Sequence, residues 1–509
     1  MTWQNLLLAS LVTAVPGAAA VAQRASPDKP APQAVVLQPA PAPAALATRK
    51  PVFTVYLRER GNATEYFSAT PNAEVYGHGD SLLRFSLAQR LPRFDYMIEA
   101  GNSSELELPH DAVSPVTAQG QLGLGGIYYA NNNNNPYPAA FSLRSGYLRY
   151  HFKKRDANVI RLGRFEFLDG AETTPKNTTL TWLQTNRVAQ RLIGNFGFSN
   201  GQRSFDGIEA KLGGDNWDLT AMGARAVGGV FNMNANKELD TDAQYLAYSR
   251  YVGKQRVLFR GFALGYHDGR PTIVKTDNRA LPVRTADHNN VRIGSYGGNM
   301  IAALPLGKQT FDLMVWGVGQ NGRFGALDHK AGAFALEGGL RLDTVRTKPW
   351  LRGGYTRSTG DNNATDNQHG TYFQVLTTPR NYARYPFFNM MNLKDGFVQF
   401  IDKPTPRVEV RTDLHWLQLT NPNDLQYQGG GAYDGKVFGF TGRPSNGHTS
   451  LASLYDISAD FAVSKQVAMT AYYAHAFGKT VIASIYPAHR DSNYGYIELT
   501  YKFSKPFSK

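Results

Sequence analysis

The sequence of 509 residues contains no cysteine. Without thiols the chain can form no disulfide framework, no lipid-modified N-terminal cysteine and no thiolate metal site. Backbone hydrogen bonds and burial must therefore hold the fold together. Beyond Ala22 no stretch of about 18 residues runs without charged or polar interruption, which excludes a helical membrane span in that part of the chain. A membrane location would require a β-barrel.

The first 22 residues also lack charged side chains. An apolar run from Leu6 leads into small residues, and Ala20-Val21-Ala22 fits the A-x-A pattern of a secretory signal cleaved before Gln23. The residues before this apolar run depart from the usual signal-peptide pattern because they include no Lys or Arg. A membrane-anchoring helix is the alternative, but the run is short and is interrupted by Pro16 and Gly17. We predict a signal peptide over residues 1–22.

Residues 23–50 are rich in Pro and Ala and offer few groups that could build a core. This composition is typical of an extended linker biased toward polyproline II, so we predict disorder there. A tether that binds a partner is the alternative to a plain spacer. The remaining residues, 51–509, are predicted to form one domain.

From about Phe53 the chain consists of short alternating runs separated by Gly, Asn, Asp and Pro. The run PRVEVRTDLHW is the clearest example, with Val408, Val410, Thr412, Leu414 and Trp416 on one side and Arg407, Glu409, Arg411, Asp413 and His415 on the other. The run GYLRYHFKK sets Leu148 and Tyr150 against Arg149 and His151 in the same way. With 50 Gly, 27 Tyr, 28 Phe and a mean hydropathy of −0.37, this pattern favours strands with one lipid-facing and one wet face.

The last strand separates a membrane barrel from a soluble sandwich. YGYIELTYKF sets Ile497, Leu499, Tyr501 and Phe503 against Glu498, Thr500 and Lys502, and such an aromatic ending resembles the sorting signal of outer-membrane barrels, here displaced by the tail SKPFSK. At roughly 25 residues per strand with its loop, residues 51–509 predict one antiparallel transmembrane β-barrel of about 18 strands. Asp-Gly and Asn-Gly pairs at 169–170, 206–207, 268–269, 321–322 and 434–435 predict turns.

Catalytic and metal motifs match only superficially. GFSNG at 197–201 fits G-x-S-x-G but lacks the strand and helix of a nucleophile elbow. The 11 histidines include no HExxH and no metal-type spacing, and no complete phosphate-binding loop occurs. We therefore predict no catalytic residues, no metal site and no cofactor.

Positive charge is in excess. The net charge is +14, and because residues 1–22 are uncharged and residues 23–50 carry +3, residues 51–509 hold +11. This surplus favours an anionic partner, whether polysaccharide, lipid headgroup or nucleic acid, without choosing among them.

Arginines cluster with carboxylates in two stretches. IRLGRFEFLDGAE and NRVAQRLIGNFGFSNGQRSFDG together supply the mixed set Arg161, Arg164, Glu166, Asp169, Arg187, Arg191, Arg203 and Asp206. Guanidinium groups bind carboxylates bidentately, and interspersed acids keep such binding weak enough for release. Each of these arginines could equally be an ordinary solvated residue of the barrel without a role in binding. We predict that the regular strand ends near Gly163 and that Arg164, rather than Arg161, faces the lumen.

One further stretch, YFQVLTTPRNYARYPFFNMMNLKDG from Tyr372 to Gly396, fits neither a helix nor a plain strand. Together with GRFEFLDGAE and QRLIGNFGFSNGQRSFDG it resembles the alginate-export family of bacterial outer-membrane proteins, and the resemblance covers most of residues 53–503. It implies a monomeric barrel of about eighteen strands with an arginine-rich, mixed-charge constriction through which an anionic uronate polysaccharide leaves the cell.

By this resemblance we expect an outer-membrane channel for passive transport, in the export direction, of an alginate-like polymer. Partners would be the polysaccharide, outer-membrane lipid and lipopolysaccharide, and periplasmic export proteins, with no nucleic acid. The predicted pore-lining residues are Arg164, Glu166, Asp169, Arg187, Arg191, Arg203, Asp206, Arg380, Tyr382, Arg384, Arg407, Arg411 and Asp413.

Three alternatives remain at this point. Tyr382, Tyr385, Phe387 and Phe388 could pack against sugar faces or could only close the barrel end by aromatic packing. The same barrel could serve as a general porin for small solutes. A barrel-embedded hydrolase or lyase would require product formation by the purified protein.

Overall fold

The computed structural model describes residues 50–68, 75–152, 158–379 and 383–507. The predicted signal peptide and all of the predicted linker except Lys50 lie outside the described residues.

Alternating sequence and frequent turn residues produce an almost entirely β structure. The strands are β1 (Val52–Glu65), β2 (Val75–Arg90), β3 (Phe94–Leu106), β4 (Ala139–His151), β5 (Val159–Phe165), β6 (Phe205–Gly213), β7 (Trp217–Val227), β8 (Glu238–Val252), β9 (Val257–Asp268), β10 (Val291–Leu306), β11 (Gln309–Phe324), β12 (Leu327–Arg341), β13 (Trp350–Ser358), β14 (Gln368–His369), β15 (Leu393–Thr405), β16 (Val408–Leu419), β17 (Leu425–Gly429), β18 (Phe440–Pro444), β19 (Ser450–Ala462), β20 (Val467–Gly478) and β21 (Asp491–Pro506).

Eighteen of these strands form one closed antiparallel wall. Each wall strand pairs with its sequence neighbours, and β1 pairs with both β2 and β21, which closes the sheet into a barrel. The short strand β14 adds in parallel to β12, and β17 and β18 form a separate hairpin. The predicted barrel of about 18 strands is confirmed.

Helices are few and short. Those in the described residues are α1 (Gly123–Asn131), α2 (Thr178–Leu183), followed by a π-helical turn over Gln184–Val188, α3 (Leu281–Ala286) and α4 (Thr480–Ile485). In this part of the chain no helix has the length and apolar character that a membrane crossing needs.

The two faces of the wall follow the predicted alternation. On β16, Leu414 and Trp416 are exposed on the outside while Asp413 and His415 are buried inside. The same parity holds on β21, where an exposed outer row flanks the buried Glu498. Large apolar side chains thus cover the outer surface, including Phe85, Ile98, Leu148, Leu162, Leu246, Phe259, Tyr296, Leu336, Leu351, Val398, Leu499 and Tyr501.

The two ends of the barrel differ. At the short-turn end, where β1 begins and β21 ends, strands are joined by turns such as 91–93, 307–308 and 406–407. At the long-loop end they are joined by segments such as 107–138, 166–204, 359–392 and 420–449. In outer-membrane barrels the short turns face the periplasm and the long loops face outward.

Two of the five predicted Asp-Gly and Asn-Gly turns are wrong. Asp206-Gly207 lies inside β6 and Asn321-Gly322 lies inside β11. A Cβ at Gly207 would stand 2.3 Å from the carbonyl oxygen of Gly223, and Gly322 has a φ of +138°. Gly207 therefore allows two strands to approach closely, and Gly322 allows an irregular backbone conformation within a strand. Neither glycine forms a hairpin turn.

Candidate functional site

Three long loops fold into the barrel instead of projecting from it. We call the described parts of 166–204, 359–392 and 420–449 the plug. Ile193 and Leu376, from two of these loops, form a parallel backbone bridge and are fully buried. The interior of the long-loop half is therefore packed with chain.

Arg203 joins all three loops of the plug. Its Nη1 donates to the carbonyl oxygens of Gly194 at 3.0 Å and Leu376 at 2.7 Å. Its Nη2 donates to those of Gly430 at 2.7 Å and Ala432 at 3.1 Å. Burial lowers the pKa of Arg203 to about 9, so the guanidinium stays charged at pH 7. Arg203 is buried and holds the three loops together. It does not line open space, so the prediction that it lines the pore is wrong.

The first plug loop reaches far toward the short-turn end. Asn177 caps α2 by accepting hydrogen bonds from the backbone N–H groups of the first helical turn. Arg341, the last residue of β12, donates from Nη1 to Thr179 Oγ1 at 2.8 Å, and the rings of Trp182 and Trp350 lie 4.6 Å apart. Because Arg341 and Trp350 flank the connection 342–349 at the short-turn end, α2 lies near that opening of the barrel.

Ion pairs fasten the plug to the wall at Glu337. Arg187 donates to both carboxylate oxygens of Glu337 at 2.6 and 2.8 Å. Arg191 donates to Glu337 Oε1 at 3.2 Å, and Arg352 of β13 lies 3.4 Å from Oε2. All four side chains are almost wholly buried. The predicted residues Arg187 and Arg191 are thus held by a carboxylate of the wall.

Glu166 and Asp169 also belong to this attachment. Glu166 accepts a hydrogen bond from Arg84 of β2 at 2.7 Å. Asp169 Oδ1 accepts from the backbone N–H groups of Leu192 at 2.9 Å and Ile193 at 2.8 Å. Burial raises the pKa of Asp169 to about 6. Both predicted acids therefore lie inside the barrel, and Asp169 shapes the plug.

On another part of the wall, two predicted residues lie near carboxylates of β16 and β19. Arg384 Nη2 lies 3.3 Å from Asp460, and the side chain is buried. Arg411 Nε lies 3.5 Å from Asp413 Oδ2. Over the described residues, buried carboxylates outnumber buried arginines, so the interior as a whole has mixed charge.

A continuous row of charges crosses five strands in the short-turn half. Both carboxylate oxygens of Asp95 on β3 accept from Arg149 Nε of β4, at 3.0 and 2.9 Å, and Asp95 Oδ2 also lies 2.6 Å from His151 Nε2 and 3.3 Å from Arg90 of β2. Next to Arg149 in the register stands Arg161 of β5, which in turn pairs with Glu209 of β6.

In these pairs the cation is open to solvent and the acid is hidden behind it. The Arg149 side chain is 25% exposed against 3% for Asp95, and Lys211 is 31% exposed against 3% for Glu209. Arg411 shows the same asymmetry. On these strands the more accessible groups are therefore cations. Asp95 is shared by Arg90 and Arg149, and Glu209 by Arg161 and Lys211, so each of these two clusters also has one positive charge in excess. We call this set the basic vestibule: Arg90, Arg149, Arg161, Lys211 and Arg411.

Comparison with known families identifies this architecture. Residues 129–484 match the family model described as alginate export. The chain belongs to the alginate export family. No curated protein matches the sequence.

Solved barrels share the fold at very low identity. OccAB4 of Acinetobacter baumannii superposes with a TM-score of 0.54 at 8% identity, covering 91% of this chain and 100% of that one. OpdK of Pseudomonas aeruginosa, solved with vanillate, gives 0.54 at 8% identity over 89% and 99% of the two chains. OccAB2 of A. baumannii gives 0.55 at 9% identity over 89% and 98%. Together with the family, this fold places the protein in the bacterial outer membrane.

In this alginate export family member, Arg164 and Asp206 are not lumenal, and the prediction that they line the pore is wrong. Arg164 donates to both oxygens of Asp206 at 2.7 and 2.6 Å, on the same face as the exposed Leu162. The strand does not end near Gly163, because β5 stays in register with β6 up to Phe165. Its inner face carries Arg161 instead.

The pair Arg164–Asp206 begins a row of charges around the outside of the long-loop end. The register continues through Arg225 and Asp242, which are hydrogen-bonded at 2.8 Å, to Arg292, Arg323 and Asp328. We call this row the outer charged band.

Three other predicted positions are Arg380, Tyr382 and Arg407. Arg407 is exposed in the turn between β15 and β16 at the short-turn end, so its assignment to the lumen is wrong. Arg380 and Tyr382 lie outside the described residues.

The described residues of the aromatic stretch that begins at Tyr372 fold into the plug up to Asn392, and the last four, 393–396, begin wall strand β15. Tyr385 stacks on Tyr494 of β21 with ring centroids 5.3 Å apart, and Phe387 meets Phe67 edge-on at 5.5 Å. Phe388 packs on Phe387, and all three are buried. These three side chains contact the wall and one another, which agrees with the alternative that the aromatic residues only close the barrel end by packing.

The G-x-S-x-G match at 197–201 is part of a plug loop. Ser199 is buried, and its hydroxyl donates to the carbonyl oxygen of Phe196 at 3.0 Å. No strand leads into this serine and no helix follows it, so the segment is not a nucleophile elbow.

Sequence motifs do not point to three residues of the basic vestibule: Arg90, Arg149 and Lys211. The alternation in GYLRYHFKK, which puts Arg149 on the wet face, is the signal that would have found that residue.

Proposed function

We propose that this protein is a channel for passive transport of an anionic, alginate-like polysaccharide or oligosaccharide out of the cell. The basic vestibule supports this proposal. Its cations stand at the periplasmic side of the barrel, where a polymer made inside the cell would enter, and their carboxylate partners are hidden behind them. Because the barrel is closed by its own first and last strands, we propose that it acts as a monomer.

The physical basis is a balance between attraction and release. Guanidinium and ammonium groups bind sugar carboxylates through charge-assisted hydrogen bonds. A buried carboxylate beside each cation weakens its field, which keeps each contact short-lived, as conduction through successive sites requires. Passage through the long-loop half also requires the plug to shift, because its three loops occupy that space.

Ion selectivity in planar bilayers tests this proposal. We expect the refolded protein to give a reversal potential of anion preference across a KCl gradient, and oligouronate to block the current. The double variant Arg149→Gln/Lys211→Gln should lose most of that preference and bind the blocker at least tenfold more weakly. The control Arg225→Gln/Arg323→Gln removes the same charge from the outside and should behave as wild type. Equal selectivity in both double variants would contradict the proposal.

A channel for small solutes is the second candidate. The solved barrel of OpdK contains vanillate, a small aromatic carboxylate, on the same fold, and a packed plug suits a narrow passage. Liposome swelling separates the two candidates: uptake of neutral disaccharide as fast as that of uronate oligomers would favour the porin. The family and fold are those of transport channels, and we propose no catalytic activity.

We also propose that the outer charged band contacts lipopolysaccharide. Its arginines can bind lipid phosphates, and its aspartates can approach the same headgroups through divalent cations. Native mass spectrometry should find less co-purified lipopolysaccharide on Arg225→Gln/Arg323→Gln than on wild type. Unchanged retention of lipopolysaccharide by the variant would contradict this role of the outer charged band.

A further inference from the structure

Sequence spacing predicts no metal site, but the barrel brings three ligand-type side chains together. His78 and Asp80 lie on the inner face of β2, and Glu105 stands directly opposite Asp80 on β3. One ligand atom from each lies within 4.8 Å of the others, and all three side chains are buried. Two carboxylates directly opposite each other repel unless something compensates their charge.

Each of the three residues has buried polar atoms without a hydrogen-bond partner among the described residues. Both ring nitrogens of His78, Asp80 Oδ1 and Glu105 Oε2 are buried and unpaired. The other oxygen of each acid is satisfied: Asp80 Oδ2 accepts from Arg60 and Asn62 at 3.2 and 3.0 Å, and Glu105 Oε1 accepts from Asn200 at 3.3 Å. Buried polar atoms almost always have partners, so a bound ion is the partner that this group lacks.

The nearby cations compensate Asp80 only in part and leave Glu105 without an ion pair among the described residues. Arg60 is shared between Asp80 and Glu498, to which it donates from Nε at 2.9 Å. Arg58 donates mainly to carbonyl oxygens of the plug. Within the described residues no Lys or Arg lies at ion-pair distance from Glu105. A buried, unpaired carboxylate is costly, and a divalent cation bound by these three side chains would remove that cost.

We propose that His78, Asp80 and Glu105 bind one first-row divalent transition-metal ion, with Zn²⁺ as the best match. One imidazole nitrogen and two carboxylate oxygens form a ligand set that Zn²⁺ accepts, with a fourth position left for water. Ca²⁺ and Mg²⁺ prefer more oxygen ligands than this pocket offers.

The position gives the ion a structural role. Asn200, which belongs to the plug, donates to Glu105 and to the carbonyl oxygen of Ser104 at 3.0 Å. Ser103 of β3 in turn donates to the carbonyl oxygen of Asn200 at 2.8 Å. An ion that orders Glu105 would therefore order the point where the plug meets the wall.

Zinc binding by the full-length refolded protein tests the inference. After stripping with EDTA and dialysis against micromolar Zn²⁺, elemental analysis should find one more Zn²⁺ per chain on wild type than on Glu105→Gln or His78→Gln. Either variant should weaken that site at least tenfold. Gln has nearly the same shape as Glu, so Glu105→Gln tests the site even if His78→Gln fails to fold.

His415→Gln is the matched control, because it also removes a buried lumenal imidazole, here paired with Asp395 at 3.0 Å. It should bind Zn²⁺ as wild type does. Bound Zn²⁺ should also slow hydrogen exchange around residue 200 in wild type and in the control only. Equal zinc content in wild type and Glu105→Gln, or specific binding of Ca²⁺ but not Zn²⁺, would overturn the assignment.

Discussion

Arg161 and Arg164 are three residues apart on β5, and this odd spacing puts them on opposite faces of the wall. Arg161 lies with its guanidinium 4.1 Å from the ring centroid of Phe165 inside the barrel, while Arg164 pairs with Asp206 outside. In a strand, a shift of one position moves a charge from water-filled lumen to membrane boundary. Parity therefore decides which arginines can meet a substrate.

This parity gives a test within one strand. We expect Arg161→Gln to reduce anion preference in planar bilayers, because it removes a cation of the basic vestibule. Arg164→Gln should leave it unchanged, because its charge lies outside. The same effect from both substitutions would show that the strand does not separate lumen from exterior at this point.

Asp424 should make the plug sensitive to pH. Its carboxylate accepts from Thr371 Oγ1 at 2.6 Å and from the Tyr427 hydroxyl at 2.7 Å, and burial raises the pKa of Asp424 to about 6. The folded state thus keeps the proton between about pH 4 and 6, where an unfolded aspartate has lost it. The stabilisation from this group is present in acid and is lost as pH rises through about 6.

Hydrogen exchange of segments 359–379 and 420–430, corrected for intrinsic rates, measures this effect. Protection should fall between pH 5 and pH 8 in wild type and fall less in Asp424→Asn, whose side chain cannot ionise. An identical pH dependence in both proteins would assign the effect to other groups.

At the scale of elements, strands could be predicted from sequence and the plug could not. Alternation placed β16 and β21 with the correct faces because the period of two is a local property. The folding of three loops into the lumen depends on contacts far apart in sequence, such as the bonds from Arg203 to Leu376 and Gly430. The close strand contact at Gly207 was likewise invisible, since such a contact and a turn both favour glycine.

Arg203 is the position at which the plug should be most sensitive. Replacing it with Met leaves four carbonyl oxygens without their charged donor, which costs about 1–3 kcal/mol for each group that finds no other partner. We expect Arg203→Met to loosen the plug and raise single-channel conductance while the wall stays folded.

Arg323→Met, an exposed position of the outer charged band, is the control for this substitution and should conduct like wild type. Unchanged conductance in Arg203→Met would mean that the three loops hold together without their shared arginine.

For the molecule as a whole, chain length and the final strand predicted the barrel and its strand number correctly. The seam between β1 and β21 is reinforced by Arg60, which donates to Glu498 from inside the barrel. Sequence patterns could identify the strands on both sides of the seam but not this pair, since its members are 438 residues apart.

Breaking that pair should weaken closure of the barrel. Glu498→Ala leaves Arg60 with Asp80 as its remaining carboxylate, and loss of one partner of a buried ion pair costs about 3–5 kcal/mol. The temperature at which the folded band disappears in semi-native gel electrophoresis should drop. Glu59→Ala removes a carboxylate from the outer face of β1, the other strand of the seam, where it accepts from Ser81 at 2.7 Å, and should have a smaller effect. An equal drop in this temperature for both variants would indicate that the Arg60–Glu498 pair does not contribute to closure of the barrel.

Because the first wall strand pairs with the last, the barrel can close only after the last strand has been synthesised. Residues 52–65 are synthesised early, yet their partners at 493–506 emerge only when translation is nearly complete. Until then β1 has one open edge, and any growing sheet has a second one at its newest strand. A sheet in which β1 has not yet met β21 therefore has two exposed edges, and a chain that stops before β21 cannot close in this way.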